Sequence, residues 1–151
     1  MIPFLDATAV LATYVQAPAS AAIRRLLQKE KKEGVAVAAH LDLELVDRLL
    51  RLHAKGMPSH ETEAILAAHQ KVSADYLRIP MDPLIPQAAV LMARHGLEAS
   101  LALDLAAALD LARRIHLQAP SLPSSPVIVV TLNPRLRAAA RAEDLQVADL
   151  P

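Results

Sequence analysis

The sequence contains no cysteine and no tryptophan, three glycines, one asparagine and only 2% aromatic residues. Without cysteine, disulfides and thiolate zinc sites are excluded, and a reducing compartment fits. So few aromatics disfavour a single-strand binder built on stacking platforms. There is no excess charge of either sign, because 16 Lys and Arg balance 16 Asp and Glu. The global phosphate-neutralising charge of a strongly basic nucleic-acid binder is therefore absent. No apolar run is long enough to span a bilayer, and no basic segment followed by an apolar run opens the chain. A cytoplasmic protein is the expectation. The Gly-rich phosphate loops and the G-x-S-x-G elbow are missing too, which disfavours those kinds of nucleotide binding and serine hydrolysis.

What is present is a chain of 151 residues, 54% hydrophobic and 21% charged, enough to bury one substantial core. Alanine and leucine dominate, as in thermophiles or GC-rich genomes, and composition does not separate the two. Ile2 to Leu5 is an apolar run closed by Asp6 and reads as a buried strand leading into a helix over Ala9 to Val15. A second helix is expected over Ala19 to Glu33, with Gly34 ending it and a solvated charge run at Lys29 to Glu33. Val35 to Ala39 has no polar alternation, as in a strand covered on both faces. Leu41, Leu45, Val46, Leu49 and Leu52 recur at helical spacing. Ser59, with Thr62 or Glu63, predicts the start of a helix that runs to Val72.

Tyr76 to Ile79 reads as a short strand, Leu84 to His95 as a helix stopped by Gly96, and Glu98 to Leu117 as a long Ala/Leu helix. After a proline-rich loop over Ala119 to Pro126 come the β-branched strand Val127 to Thr131, a helix over Pro134 to Ala142 and a last strand at Leu145 to Val147. Strands alternating with helices predict an α/β fold: three layers, with a central, mainly parallel sheet and helices on both faces. Residues 1–151 read as one domain.

In such sheets, sites form outside the C-terminal ends of the strands. Asp6 follows the first strand, His40, Asp42 and Glu44 the second, and Asn133 the strand at Val127. Oxygen ligands without cysteine suit Mg²⁺ or Mn²⁺. Each residue also has a purely structural reading. Asp6 and Asn133 both suit helix N-caps, Asn133 with Pro134 in the first turn. Glu44 suits a solvated helix face. Asp104 lies in Leu101 to Ala108, a stretch apolar on every side, where a carboxylate needs a salt bridge to an arginine or a site role. The six histidines show no H-x-x-x-H spacing, so surface or core positions are expected for them rather than zinc ligation.

Taken together, these motifs resemble the PIN domain, the metal-dependent nuclease fold of many bacterial toxin ribonucleases. Phe4-Leu5-Asp6-Ala7-Thr8 resembles its opening strand, aspartate, any residue, then serine or threonine. Val35 to Ala39 with Leu43-Glu44-Leu45 resembles its second strand and helix-borne glutamate. Val129-Val130-Thr131-Leu132-Asn133-Pro134-Arg135-Leu136 resembles its closing strand, threonine, acid and helix. Its third motif, aspartate-alanine-leucine-any-leucine-alanine, is met by Leu101 to Ala106 with Leu101 in the aspartate position. Asp104, three residues on, shares a helix face with Leu101, and either supplies the carboxylate from the next turn or stands displaced.

The resemblance implies a ribonuclease in which Asp6, Glu44 and Asp104 hold Mg²⁺ or Mn²⁺, water activated by the metal hydrolyses the phosphodiester, and Asn133 and Thr8 orient water or ligand. Arg135 and Arg137 would meet RNA phosphates or be ordinary surface arginines. It further implies RNA as substrate, an antitoxin protein as partner and a homodimer. Because Leu101 and Asn133 replace acids of the family pattern, a second reading is a catalytically degenerate module that binds RNA or a protein. A third is a structural homo-oligomer using exposed leucines around Leu49 to Leu52.

Overall fold

A computed structural model describes residues 1–121 and 126–151. The loop expected over Ala119 to Pro126 lies in part outside the described residues. The strands β1 (Ile2–Leu5), β2 (Ala36–Ala38), β3 (Leu77–Ile79), β4 (Val127–Val130) and β5 (Gln146–Val147) form one parallel sheet in the order β3-β2-β1-β4-β5. Phe4 pairs with Ala36 on one side and with Val129 on the other. The lack of polar alternation has the expected cause. Phe4, Ala36, Ala38, Val127 and Val129 point into one core, whereas Leu5, Val37 and Val130 point into another.

The first core is closed by α5 (Ile85–His95), α6 (Ala99–Gln118) and α7 (Pro134–Ala142), and the second by α1 (Ala7–Tyr14), α2 (Ser20–Lys29), α3 (Leu41–Ala54) and α4 (Ser59–Val72). Helices thus cover both faces, giving the three layers predicted. The chain runs from β1 outward through β2 and β3, then returns to the other side of β1 as β4 and β5. This reversal beside β1 is the place where parallel sheets open a crevice at their C-terminal edge. No helix among the described residues is long and apolar enough to cross a membrane.

Several local expectations shift. α2 ends at Lys29 and not at Glu33, because the run Lys29 to Glu33 has no apolar side chain to hold another turn against the core. Glu30 instead takes the amino terminus in an ion pair of 3.0 Å, and Gly34 turns the chain toward β2 with φ 82°. Ser59 is not the cap of α4: Pro58, in extended conformation, holds that position, and its carbonyl accepts from Glu61 and Thr62. Gly96 ends α5 in the left-handed conformation at φ 64°, as expected. Leu49 belongs to the core, so the exposed apolar residues of α3 are Leu43, Val46 and Leu50.

Three charged residues fasten α5 to the end of α7. Glu143 Oε1 accepts from His95 Nε2 and from Arg94, each at 2.6 Å. The hydrogen bond from His95, followed by that from Arg94, holds the Glu143 carboxyl below its ordinary range. A carboxyl lowered in the folded state stabilises above its unfolded value, and that stabilisation fades as the pH falls through the folded value. Glu143→Gln is therefore expected to cost about 1 kcal/mol at pH 7. The difference should vanish in acid below the ordinary glutamate range. Thermal melts of both proteins across pH check this, and a deficit that persists in acid would rule out the charge as its source.

Candidate metal centre

Asp6 is the N-cap of α1: its Oδ1 accepts from the Ala9 amide at 3.0 Å. It is more than a cap. Thr8 donates to the same oxygen at 2.7 Å, and Thr131, just past β4, donates to Oδ2 at 2.7 Å. Thr8 in turn accepts from the Leu132 amide at 2.8 Å, and Thr131 from the Asn133 amide at 3.0 Å. The ends of β1 and β4 are thereby sewn together around one buried carboxylate. Burial raises the Asp6 pKa, and the bonds from Thr8, Ala9 and Thr131, with the charge of Arg48, recover only part of the rise.

Beside this knot, a second group converges. His40 follows β2 at the mouth of α3, Glu44 stands one helical turn further on, and Asp104 enters from α6. His40 Nε2 lies 3.3 Å from Glu44 Oε2 and 3.6 Å from Asp104 Oδ1. One ligand atom from each of the three lies within 4.8 Å of the others. These distances do not represent hydrogen bonds. Both ring nitrogens of His40 and Glu44 Oε2 are buried without a hydrogen-bond partner among the described residues. His40 lies within ion-pair distance of both carboxylates, and the spacing also lets all three residues share one cation. Imidazole nitrogen with two carboxylates is a donor set for a divalent cation.

Electrostatics agree. Asp104 is 2% exposed. Burial, then the charges of Glu44 and Asp6, push its pKa well above the ordinary range, and Arg48 opposes them only in part. Burial also raises Glu44, but the imidazole of His40, the Ser100 hydroxyl and the Arg48 charge outweigh it, and the net shift is downward. The buried aspartate in α6 that is neutralised by arginine is a different one: Asp110 pairs with Arg113 at 2.9 Å and Arg114 at 2.6 Å. No lysine or arginine forms an ion pair with Asp104 among the described residues, so the arginine partner expected for it is not there and the group at ion-pair distance is His40. The residues present thus fit a cation: a buried and a half-buried carboxylate that repel one another, and an imidazole within ion-pair distance of both.

The residues expected at the site fall into two sets. Glu44 and Asp104 come together. Asp6 lies near enough to raise the Asp104 pKa but is outside the three-residue cluster. Leu101, in the position of the family's aspartate, is packed in the core, and Asp104 on the next turn carries the carboxylate. Asn133 spends its Oδ1 as the N-cap of α7, accepting from the Arg135 and Leu136 amides at 2.9 and 3.1 Å. Thr8 holds Asp6 in place. Arg135 is exposed, while Arg137 turns back to donate to the Thr131 carbonyl at 3.2 Å. Asp42, the other acid after β2, faces away and binds His69 at 2.9 Å and Arg78 at 3.0 Å.

His40 is the residue that histidine spacing passes over. A search for paired histidines cannot find it, whereas His-x-x-x-Glu on the first turn of a helix that follows a strand could have.

Comparison with known structures identifies the architecture. VapBC2 from Rickettsia felis, solved bound to a DNA fragment from its promoter, superposes with a TM-score of 0.65 at 13% identity, covering 100% of both chains. FitAcB from Neisseria gonorrhoeae gives 0.63 at 16% identity, covering 99% of this chain and 97% of that one. PAE2754 from Pyrobaculum aerophilum gives 0.61 at 16% identity, over 97% and 83%. The chain has the PIN-domain fold. No protein-family model matches the sequence, and no curated protein matches it. The PIN fold is therefore kept here at identities where side chains are free to change, and the acids at its C-terminal edge must be judged from this chain's own geometry.

Proposed function

We propose that this chain is a metal-dependent ribonuclease of the PIN fold that hydrolyses RNA phosphodiesters. The convergence of His40, Glu44 and Asp104 at the C-terminal edge of the sheet carries the reading. These three residues would hold a divalent cation, with Asp6 contributing negative charge from the adjacent knot. When bound, such a cation activates water and stabilises charge on a phosphoryl group. The chain's own part is to keep the carboxylates dry, aimed and unneutralised. Thr8 and Thr131 fix the Asp6 carboxylate, and Asn133 fixes the turn that carries Thr131's partner amide. Residues 1–151 would work as one PIN-like domain in the cytoplasm, as a homodimer. The likeness to VapBC2 and FitAcB supports a protein partner of the antitoxin kind and the role of a toxin in such a pair.

An imidazole ligand bears on the metal. Mg²⁺ prefers an all-oxygen shell, while later first-row ions accept nitrogen more readily. Mn²⁺ is accordingly expected to bind about tenfold tighter than Mg²⁺, because it tolerates a nitrogen ligand better. Calorimetry with each ion checks this, and equal affinities would remove His40 from the ligand set. Cleavage of RNA in Mn²⁺ by wild type, but not by Asp6→Ala or Glu44→Gln, is the test of function. Equal activity in all three would sink it.

A second reading has an observation of its own. Asn133 stands where the family pattern has an acid, and its oxygen is consumed by a helix cap. A PIN module that binds RNA or protein without cutting would follow from that loss of charge. It predicts no heat on titration with Mn²⁺.

A further inference from the structure

Arg48 lies one turn beyond Glu44 on α3, half-buried. The ion pairs of the described residues engage Arg51, Arg78, Arg94, Arg113 and Arg114, and no ion pair or hydrogen bond holds Arg48. It separates two cavities and lines both. The first, about 410 Å³, includes Glu44, Asp47, Arg51, Glu98 and Ser100. Arg51 there is already tied to Asp47 at 3.0 Å. The second, about 310 Å³, runs between α1, α3 and the turn after β4, and its walls include Leu11, Val15, Leu52 and Leu132.

Among the described residues, Arg48 is the one charged side chain that lines the second cavity. Its charge acts on Asp6, Glu44 and Asp104 without a direct ion pair, so the planar fork of this partly desolvated guanidinium is left to match phosphate oxygens. The cavity's hydrogen-bonding groups are few. The Thr8 hydroxyl is committed to Asp6 and to the Leu132 amide. Gln16, exposed at the rim, offers an amide that both donates and accepts. The aliphatic walls suit the faces of a base, and the amide suits its Watson–Crick edge. A volume of about 310 Å³ stands at the low end of small-ligand sites, room for one nucleotide.

We propose that this second cavity binds one nucleotide of a single-stranded RNA, its base against Leu11, Val15, Leu52 and Leu132 and read by Gln16, its phosphate on Arg48. The ligand's identity rests on the ribonuclease reading. Continuity favours RNA over a protein segment: a phosphate on Arg48 lies one helical turn from Glu44, so the next stretch of the strand enters the first cavity beside the metal centre.

The test measures binding of fluorescein-labelled oligo-U, oligo-C and oligo-A ribonucleotides by anisotropy, in EDTA, across a salt series. Arg48→Gln should weaken binding about tenfold and reduce the slope of log affinity against log salt by about 0.7, the loss of one single-strand phosphate contact. Arg48→Lys should recover part of both. Gln16→Ala, on the surface, should change the relative affinities for the three oligomers and leave the slope alone. An unchanged affinity and slope in Arg48→Gln, or no binding by wild type, would overturn the site and leave the cavity to a protein segment.

Calorimetry with Mn²⁺ on the same proteins separates the two claims. Absent Mn²⁺ binding with Arg48-dependent RNA binding would refute the ribonuclease and keep the nucleotide site. Mn²⁺ binding and cleavage with no dependence on Arg48 would do the reverse.

Discussion

Asp104→Asn is expected to make the metal-free protein more stable while abolishing its binding of Mn²⁺. The carboxylate is buried in α6 with two other acids near it, and among the described residues no lysine or arginine forms an ion pair with it. Ionising or protonating it there costs free energy that a neutral amide of the same shape avoids. A gain of about 1–3 kcal/mol is expected in EDTA, the usual magnitude for an uncompensated buried polar group. For a chain of this size that corresponds to a rise in Tm of roughly 2–10 °C. Excess Mn²⁺ should reverse the ranking, because ligand that binds only the folded state stabilises wild type by mass action and leaves the variant unmoved. Thermal melts with and without Mn²⁺ check both halves. A less stable variant in EDTA would mean that the carboxylate is already compensated by its contact with His40, and the centre would then be a closed cluster.

Thr131→Val should be costly for a change of one heavy atom. The side chain is fully buried, with its hydroxyl donating to Asp6 Oδ2 and accepting from the Asn133 amide. Valine keeps the shape and removes both bonds, leaving a buried carboxylate oxygen and an amide without partners. A loss of about 2–4 kcal/mol follows from two such groups. Thr131→Ser keeps the hydroxyl and should lose much less. Urea denaturation gives the comparison, and equal losses for valine and serine would assign the effect to packing. The same substitution loosens the knot between the β1 and β4 ends, so Mn²⁺ affinity should fall with stability in Thr131→Val and recover in Thr131→Ser.

Much of this architecture is legible in the order of residues, because it depends on near neighbours. The uninterrupted apolar runs at Ile2 to Leu5 and Val127 to Val130 demand cover on both faces of a strand. The stretch Leu101 to Ala108 of α6, apolar on every side but for Asp104, demands burial. Asp6 and Asn133 before helices announce their caps, and both are caps. Local pattern fails where a distant surface decides. α2 stops at Lys29 because nothing across the fold receives another turn, and the core receives Leu49 rather than Leu50. Of the two aspartates buried in α6, Asp110 finds arginines one turn away, whereas Asp104 meets the acids of other elements.

Residue order alone is enough to place a carboxylate, Asp6, at the end of the first strand, to set Glu44 and Asp104 on helices, and to alternate the layers as in an α/β fold. These are properties of short range, set by helix and strand periodicity and by the needs of buried polar groups. Which groups meet depends on how the elements pack. The order β3-β2-β1-β4-β5 sets β2 and β4 on either side of β1, so that Thr131 reaches Asp6 across 125 residues. Packing α6 against the first core brings Asp104 to His40. Convergence at a sheet edge is a matter of strand order and helix placement, and no spacing along the chain encodes it.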